Sequence, residues 1–202
     1  MTDTALLLTA LCLPLFAAAG ITLTSRWPNL RETVTLLSSA LLSMTVFTIY
    51  LRFSDGAVFA LDIAEPLPGL MLRFEIESLG MLLALVTSTL WFVTGIYAIG
   101  YMRKHDEKNQ TRFYALFAIA IGSALGAAFA GNLLTLFLWY EILTLSTYPL
   151  VAHAGTKKAR RGARTSVAIL LTTSILFQLF AILITYSVAG SLDFHEGGIL
   201  AG

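Results

Sequence analysis

Six stretches of this chain are each long and apolar enough to cross a lipid bilayer, and no other feature restricts its fold so strongly. They run over about 5–25, 33–51, 79–102, 113–131, 133–153 and 167–189. A helix needs roughly 20 apolar residues to traverse the hydrocarbon core. In lipid every backbone N–H and C=O must be satisfied within the protein, which favours unbroken helices. Composition agrees: of 202 residues, 57% are hydrophobic and 12% charged, where soluble domains carry about a quarter charged residues. The expected fold class is an all-α integral membrane bundle of about six transmembrane helices. Residues 1–202 form a single transmembrane domain in this reading, with no soluble domain.

The first run reads as a retained helix rather than an export signal. A signal peptide opens on a basic segment and has a short apolar core. Here "MTDT" carries only Asp3, and the run behind it is of spanning length. Cys12 is the single cysteine and lies in that run, so the chain can build neither a disulfide framework nor a thiolate-held cluster. It reads as an inert packed thiol. His105, His153 and His195 lie in loops or at a helix end, so no pair within the membrane can ligate haem. No cofactor and no metal is therefore expected, and a redox subunit carrying its own cofactor is set aside.

The net charge of +1 conceals a segregation. Eleven of the thirteen Lys and Arg residues fall in the first, third and fifth connections: Arg26 and Arg31, the 103–112 group, and the 157–164 group. Only Arg52 and Arg73 lie on the other side. The positive-inside rule puts the eleven in the cytoplasm, with both termini on the outer side of a bacterial inner membrane. Topology accounts for the cluster "TKKARRGAR" (Thr156–Arg164), although such a cluster also suits an anionic headgroup or an acidic partner. The bilayer and other membrane subunits are the expected partners; nucleic acid is not.

Between the second and third runs lies the one long loop, "AVFALDIAEPLPGLMLRFEIES". Leu72, Phe74 and Ile76 alternate with Arg73, Glu75 and Glu77, the period of a strand, and "PLPG" supplies a turn before it. A short outward-facing β-hairpin is expected between helices 2 and 3, its acidic residues solvated. In the fourth run Ala118, Gly122, Gly126 and Ala130 recur every four residues. Small residues at that spacing let helices pack closely in lipid, which makes Gly122 and Gly126 helix-packing positions.

The fifth run, "NLLTLFLWYEILTLSTYPLVAHAG" from Asn132 to Gly155, carries Glu141 close to its middle. Of the twelve acidic residues it alone lies deep in a span. An ionised carboxylate there costs about 2.5–3.5 kcal/mol on insertion scales. Desolvation raises a carboxyl pKa and a nearby cation lowers it, so a movable cation can switch the protonation of such a group. That is the chemistry of a proton relay. Thr144 and Tyr148, three and seven residues on, lie near the same side of the helix. Ser146, Thr147 and Pro149 add polar groups and a break in the hydrogen-bond ladder that can admit water. The alternative is a neutral glutamic acid that bonds a carbonyl and fixes packing. No Lys or Arg lies inside the six expected spans to serve as its mate.

"NLLTLFLWYEILTLSTYPLV" resembles the start of the antiporter-like proton-translocating core shared by NADH:quinone oxidoreductase, Mrp-type cation/proton antiporters and membrane-bound hydrogenases. Asn132, Leu133, Leu134, Glu141, Ser146 and Tyr148 carry the resemblance. "YAIGYM" (Tyr97–Met102) and "VAGSLDF" (Val188–Phe194) resemble the family's third-helix ending and the stretch after its sixth helix. The resemblance implies that Glu141 couples electrostatically to a Lys on a seventh helix, and that proton movement follows changes in that pair. It also implies a subunit or fragment of a proton-translocating or antiport complex, not catalytic by itself. A structural or assembly subunit is the alternative. Gly202 comes before such a seventh helix, so the chain is expected to be the N-terminal portion of a longer subunit, with "GGILAG" a loop-like ending. "WYE" in place of the family's "WE" pair (Trp139–Glu141), with the basic cluster, leans toward the Mrp branch; the coupling ion stays open.

Overall fold

A computed structural model describes residues 2–67, 69–195 and 197–199. Its helices are α1 (Asp3–Leu23), α2 (Pro28–Ser54), α3 (Ser78–Lys104), α4 (Gln110–Ala128), α5 (Leu133–Val151), α6 (Lys157–Thr173) and α7 (Phe180–Ala189). A π-helical segment, Ser174–Leu179, joins α6 to α7, so 157–189 is one continuous span. The six resulting helices are all long and apolar enough to cross a membrane. Local chemistry sets their starts. The Thr2 hydroxyl accepts from Ala5 N, Pro28 occupies the first turn of α2, and the Thr156 hydroxyl accepts from Ala159 N. Each device satisfies or removes a backbone donor that a helix start leaves orphaned.

The helix boundaries depart from the expected ones in one informative direction. The sixth span begins at Lys157 rather than near 167, and α2 at Pro28 rather than near 33. Hydropathy registers only where side chains are oily, whereas a helix continues through a basic, solvated first turn. Much of the cationic cluster expected in a loop therefore sits on helix, and the fifth connection shrinks to 152–156.

Antiparallel strands β1 (Ala60–Leu67) and β2 (Leu70–Glu75) form the expected hairpin. The turn read from "PLPG" includes Pro68, which lies outside the described residues, as do Leu200–Gly202 of the "GGILAG" ending. The hairpin is not a free flap, because backbone bonds tie it to the bundle. Glu75 N donates to Phe129 O at 2.8 Å, and Gly131 N to Arg73 O at 2.9 Å. Gly131 permits this approach: a Cβ there would sit 3.0 Å from the Arg73 stem and 3.1 Å from Glu75 Cβ.

The core lies among α1 to α4, with Trp91, Tyr114, Phe129, Leu7, Ile49 and Leu125 at or near zero exposure. Burial then falls along the chain. Of the most apolar window of each span, 44% is buried in α1 and in α4, 22% in α5 and 11% in the 157–189 span. Gly122 and Gly126 are buried as expected, but they face different neighbours. A Cβ at Gly122 would stand 3.2 Å from Pro14 Cβ of α1, whereas one at Gly126 would overlap the indole of Trp139 on α5.

Candidate functional site

α5 is held at its N-terminal end by side chains of its first residues. Asn132 caps it: its Oδ1 accepts from Thr135 N at 2.8 Å, while its Nδ2 donates to Met71 O at 2.7 Å. Arg73 N donates to Thr135 Oγ1 at 3.0 Å, and Phe194 N donates to Gly131 O at 3.2 Å. The start of α5 is thus tied to β2 and to the segment after α7. Midway along, the Trp139 ring lies on Gly126 and edge-on to Phe74, centroids 6.1 Å apart. These contacts fix the rotation of α5 two residues before Glu141.

Glu141 is partly buried, and its Oε1 is fully buried with no hydrogen-bond partner among the described residues. Carboxylate oxygens away from water are ordinarily hydrogen-bonded, which sets this one apart from the carboxylate of Glu32. Thr144, one turn on, is buried at 4% exposure. Tyr148 lies two turns on, about 10 Å along the axis, and lines a cavity of about 320 Å³ at the basic end of the bundle. Ser146 is buried but lies roughly 140° round the helix from Glu141, and its hydroxyl donates to Leu143 O at 2.8 Å. Thr147 likewise donates to Thr144 O at 2.8 Å. Helical spacing keeps Thr144 and Tyr148 on the side of Glu141, while Ser146 spends its hydroxyl on its own helix. Pro149 lies inside α5 and lines the same cavity; having no N–H, it leaves a carbonyl of the preceding turn free for water.

A second buried carboxylate escaped the sequence reading. Glu32, in the first turns of α2, is 4% exposed. It pairs with Arg31 at 3.5 Å and accepts two bonds from Arg103 of α3. Arg31 in turn donates to Gln110 Oε1 at 2.7 Å and to Thr111 Oγ1 at 3.0 Å on α4. Adjacent Arg31 and Glu32 look like ordinary helix-end charges in sequence; their partners lie 71 to 80 residues away. The three histidines are dispersed: His105 stacks on Tyr101, His153 lies edge-on to Phe113, and His195 lines a cavity beside Glu75 and Glu77. No group of three metal-ligating side chains forms among the described residues.

The family model described as NADH:quinone oxidoreductase/Mrp antiporter, TM, matches residues 130–199, the segment that holds Asn132, Glu141 and Tyr148. Over that segment the chain is similar to the antiporter-like family. NADH-quinone oxidoreductase subunit N of Desulforudis audaxviator is 30% identical over 105 residues, 52% of this chain and 21% of that protein. Na(+)/H(+) antiporter subunit A1 of Staphylococcus haemolyticus is 28% identical over 134 residues, 64% of this chain and 16% of that one. The matches thus span about a fifth or less of these relatives' own lengths. The solved Mrp complex from Dietzia shares the fold, with a TM-score of 0.80 over 96% of this chain and 36% of its own, at 22% identity. The chain thus resembles membrane subunits of the Mrp and complex I type, and it carries six helices long and apolar enough to cross a membrane.

Proposed function

We propose that the chain works in a proton-translocating or cation/proton antiport complex of a bacterial inner membrane, with Glu141 as its proton-path carboxylate. The observation that carries this reading is the buried, unpartnered Oε1 of Glu141 on α5. It lies inside the segment that the antiporter family model matches. A carboxylate retained at such cost, without a bond that would make it structural, is the group a mobile charge acts upon. Tyr148 lines the cavity at the basic end, and Thr144 lies between it and Glu141 along α5. The cation that switches Glu141 comes from beyond the described residues, in the same polypeptide or in a neighbouring subunit. Positive-inside bias orients the basic end to the cytoplasm, and both termini outward.

Two substitutions test this. Glu141→Gln keeps size and shape but removes the negative charge; Glu141→Asp keeps the charge and withdraws it by one methylene. In native membranes at matched abundance, Gln should reduce ion-coupled proton transport at least about tenfold, a deficit of about 1.4 kcal/mol, while Asp retains part of it. A packing role predicts the reverse order, since Asp leaves a small void. Wild-type transport by the Gln variant would remove Glu141 from the path.

A further inference from the structure

The cavity between α4, α5 and α6 at the basic end holds an excess of one charge. Arg112 of α4 and Arg160 and Arg164 of α6 all line it, the latter two one turn apart on one helix face. None of the three guanidinium groups has an ion pair or side-chain hydrogen bond among the described residues. No carboxylate among the described residues lines the cavity; Asp106 and Glu107, the nearest acids in sequence, line a neighbouring one beside Arg103. His153 adds a buried Nε2 without a partner, and Asn109 and Tyr148 add neutral polar groups. Lys157, Lys158 and Arg161, on the same basic stretch, are not among the lining residues. Convergence is therefore selective, not a by-product of a basic surface.

We propose that this cavity binds the phosphate of an anionic membrane lipid. Guanidinium forks match phosphate oxygens bidentately, and three of them around one pocket offer a surplus of positive charge and N–H donors to the singly negative phosphodiester of a lipid. The site sits where α5 ends and α4 and α6 begin, the level of the headgroups. Below it on α6, Ile169, five residues on from Arg164, is 58% exposed and offers apolar surface for acyl chains. A headgroup at that level with chains running down that surface distinguishes a lipid from a free anion. The assignment is independent of any role for Glu141.

The test is native mass spectrometry of the protein released from nanodiscs of phosphatidylcholine with a minor fraction of phosphatidylglycerol. One phosphatidylglycerol should remain bound after zwitterionic lipid has been stripped. Replacing Arg112, Arg160 and Arg164 together by Gln should weaken its retention about a hundredfold, about fivefold for each basic group near the headgroup. Replacing Lys157, Lys158 and Arg161 by Gln removes equal charge outside the cavity and should leave retention unchanged. Equal loss in both triple variants, or in neither, would overturn the site. Displacement of the lipid by equimolar inorganic phosphate would make it a free-anion site. Loss of co-purifying membrane subunits with unchanged lipid retention would make the occupant an acidic segment of a partner. Either result overturns the lipid assignment.

Discussion

Two buried carboxylates in one chain carry opposite consequences for stability. Glu32 is bonded to Arg31 and Arg103, and Arg31 is itself 5% exposed. Removing the carboxylate leaves a buried guanidinium uncompensated, a situation that costs about 3–5 kcal/mol. The side chain of Arg103 is 52% exposed and can rehydrate, so the lower end applies. Glu32→Gln should destabilise the detergent-solubilised protein by about 3 kcal/mol; Glu141→Gln, which relieves an unpartnered buried group, should leave thermal unfolding unchanged or shift it upward. Midpoints for the two variants in one detergent check both. Sequence exposed only one of the pair. Glu141 stands out because its neighbours are all apolar, a property of adjacent residues. Glu32 stands beside Arg31 at a helix start, and its burial depends on α3 and α4, which no local window contains.

At the scale of elements, the small-residue stripe on α4 was legible as a packing face, but the partners of its members were not. Gly122 meets α1 and Gly126 meets α5, because a helix inside a bundle turns neighbouring stretches of one face toward different helices. The overlap at Gly126 is with an aromatic ring wedged between two elements, and overpacking of this kind costs about 1–3 kcal/mol. Gly126→Ala should therefore lose stability in that range and more than Gly122→Ala, where Pro14 Cβ at 3.2 Å has to give only slightly. Trimming the ring in a Gly126→Ala, Trp139→Leu double variant should recover part of the loss. Thermal unfolding of the three proteins ranks them. The hairpin was legible from its period of two, since alternation is a local signal. Its docking onto 129–131 was not: the backbone groups that make those bonds carry no sequence signature.

For the molecule as a whole, hydropathy and charge fixed the number of spans and the division of the connections, while the order of helix packing stayed hidden because lipid-facing and helix-facing surfaces are equally apolar in this solvent. Orientation is directly measurable. With Cys12 replaced by Ala, cysteines at Lys108 and Lys158 should react with an impermeant maleimide only after the cells are opened. Labelling of either in intact cells would invert the topology. The drop in burial from 44% in α4 to 22% in α5 and 11% in the 157–189 span has a consequence for biogenesis. During synthesis the first four helices leave the ribosome with surfaces that close on one another. The span bearing Glu141 and the one after it follow, and most of their flanks meet acyl chains until a neighbour arrives. Early helices thus make a seat, and late helices wait in it. An excess of this chain over its neighbours should accumulate inserted and helical yet laterally unshielded, and membrane proteases should then cut within 133–189 before they cut within the first four helices.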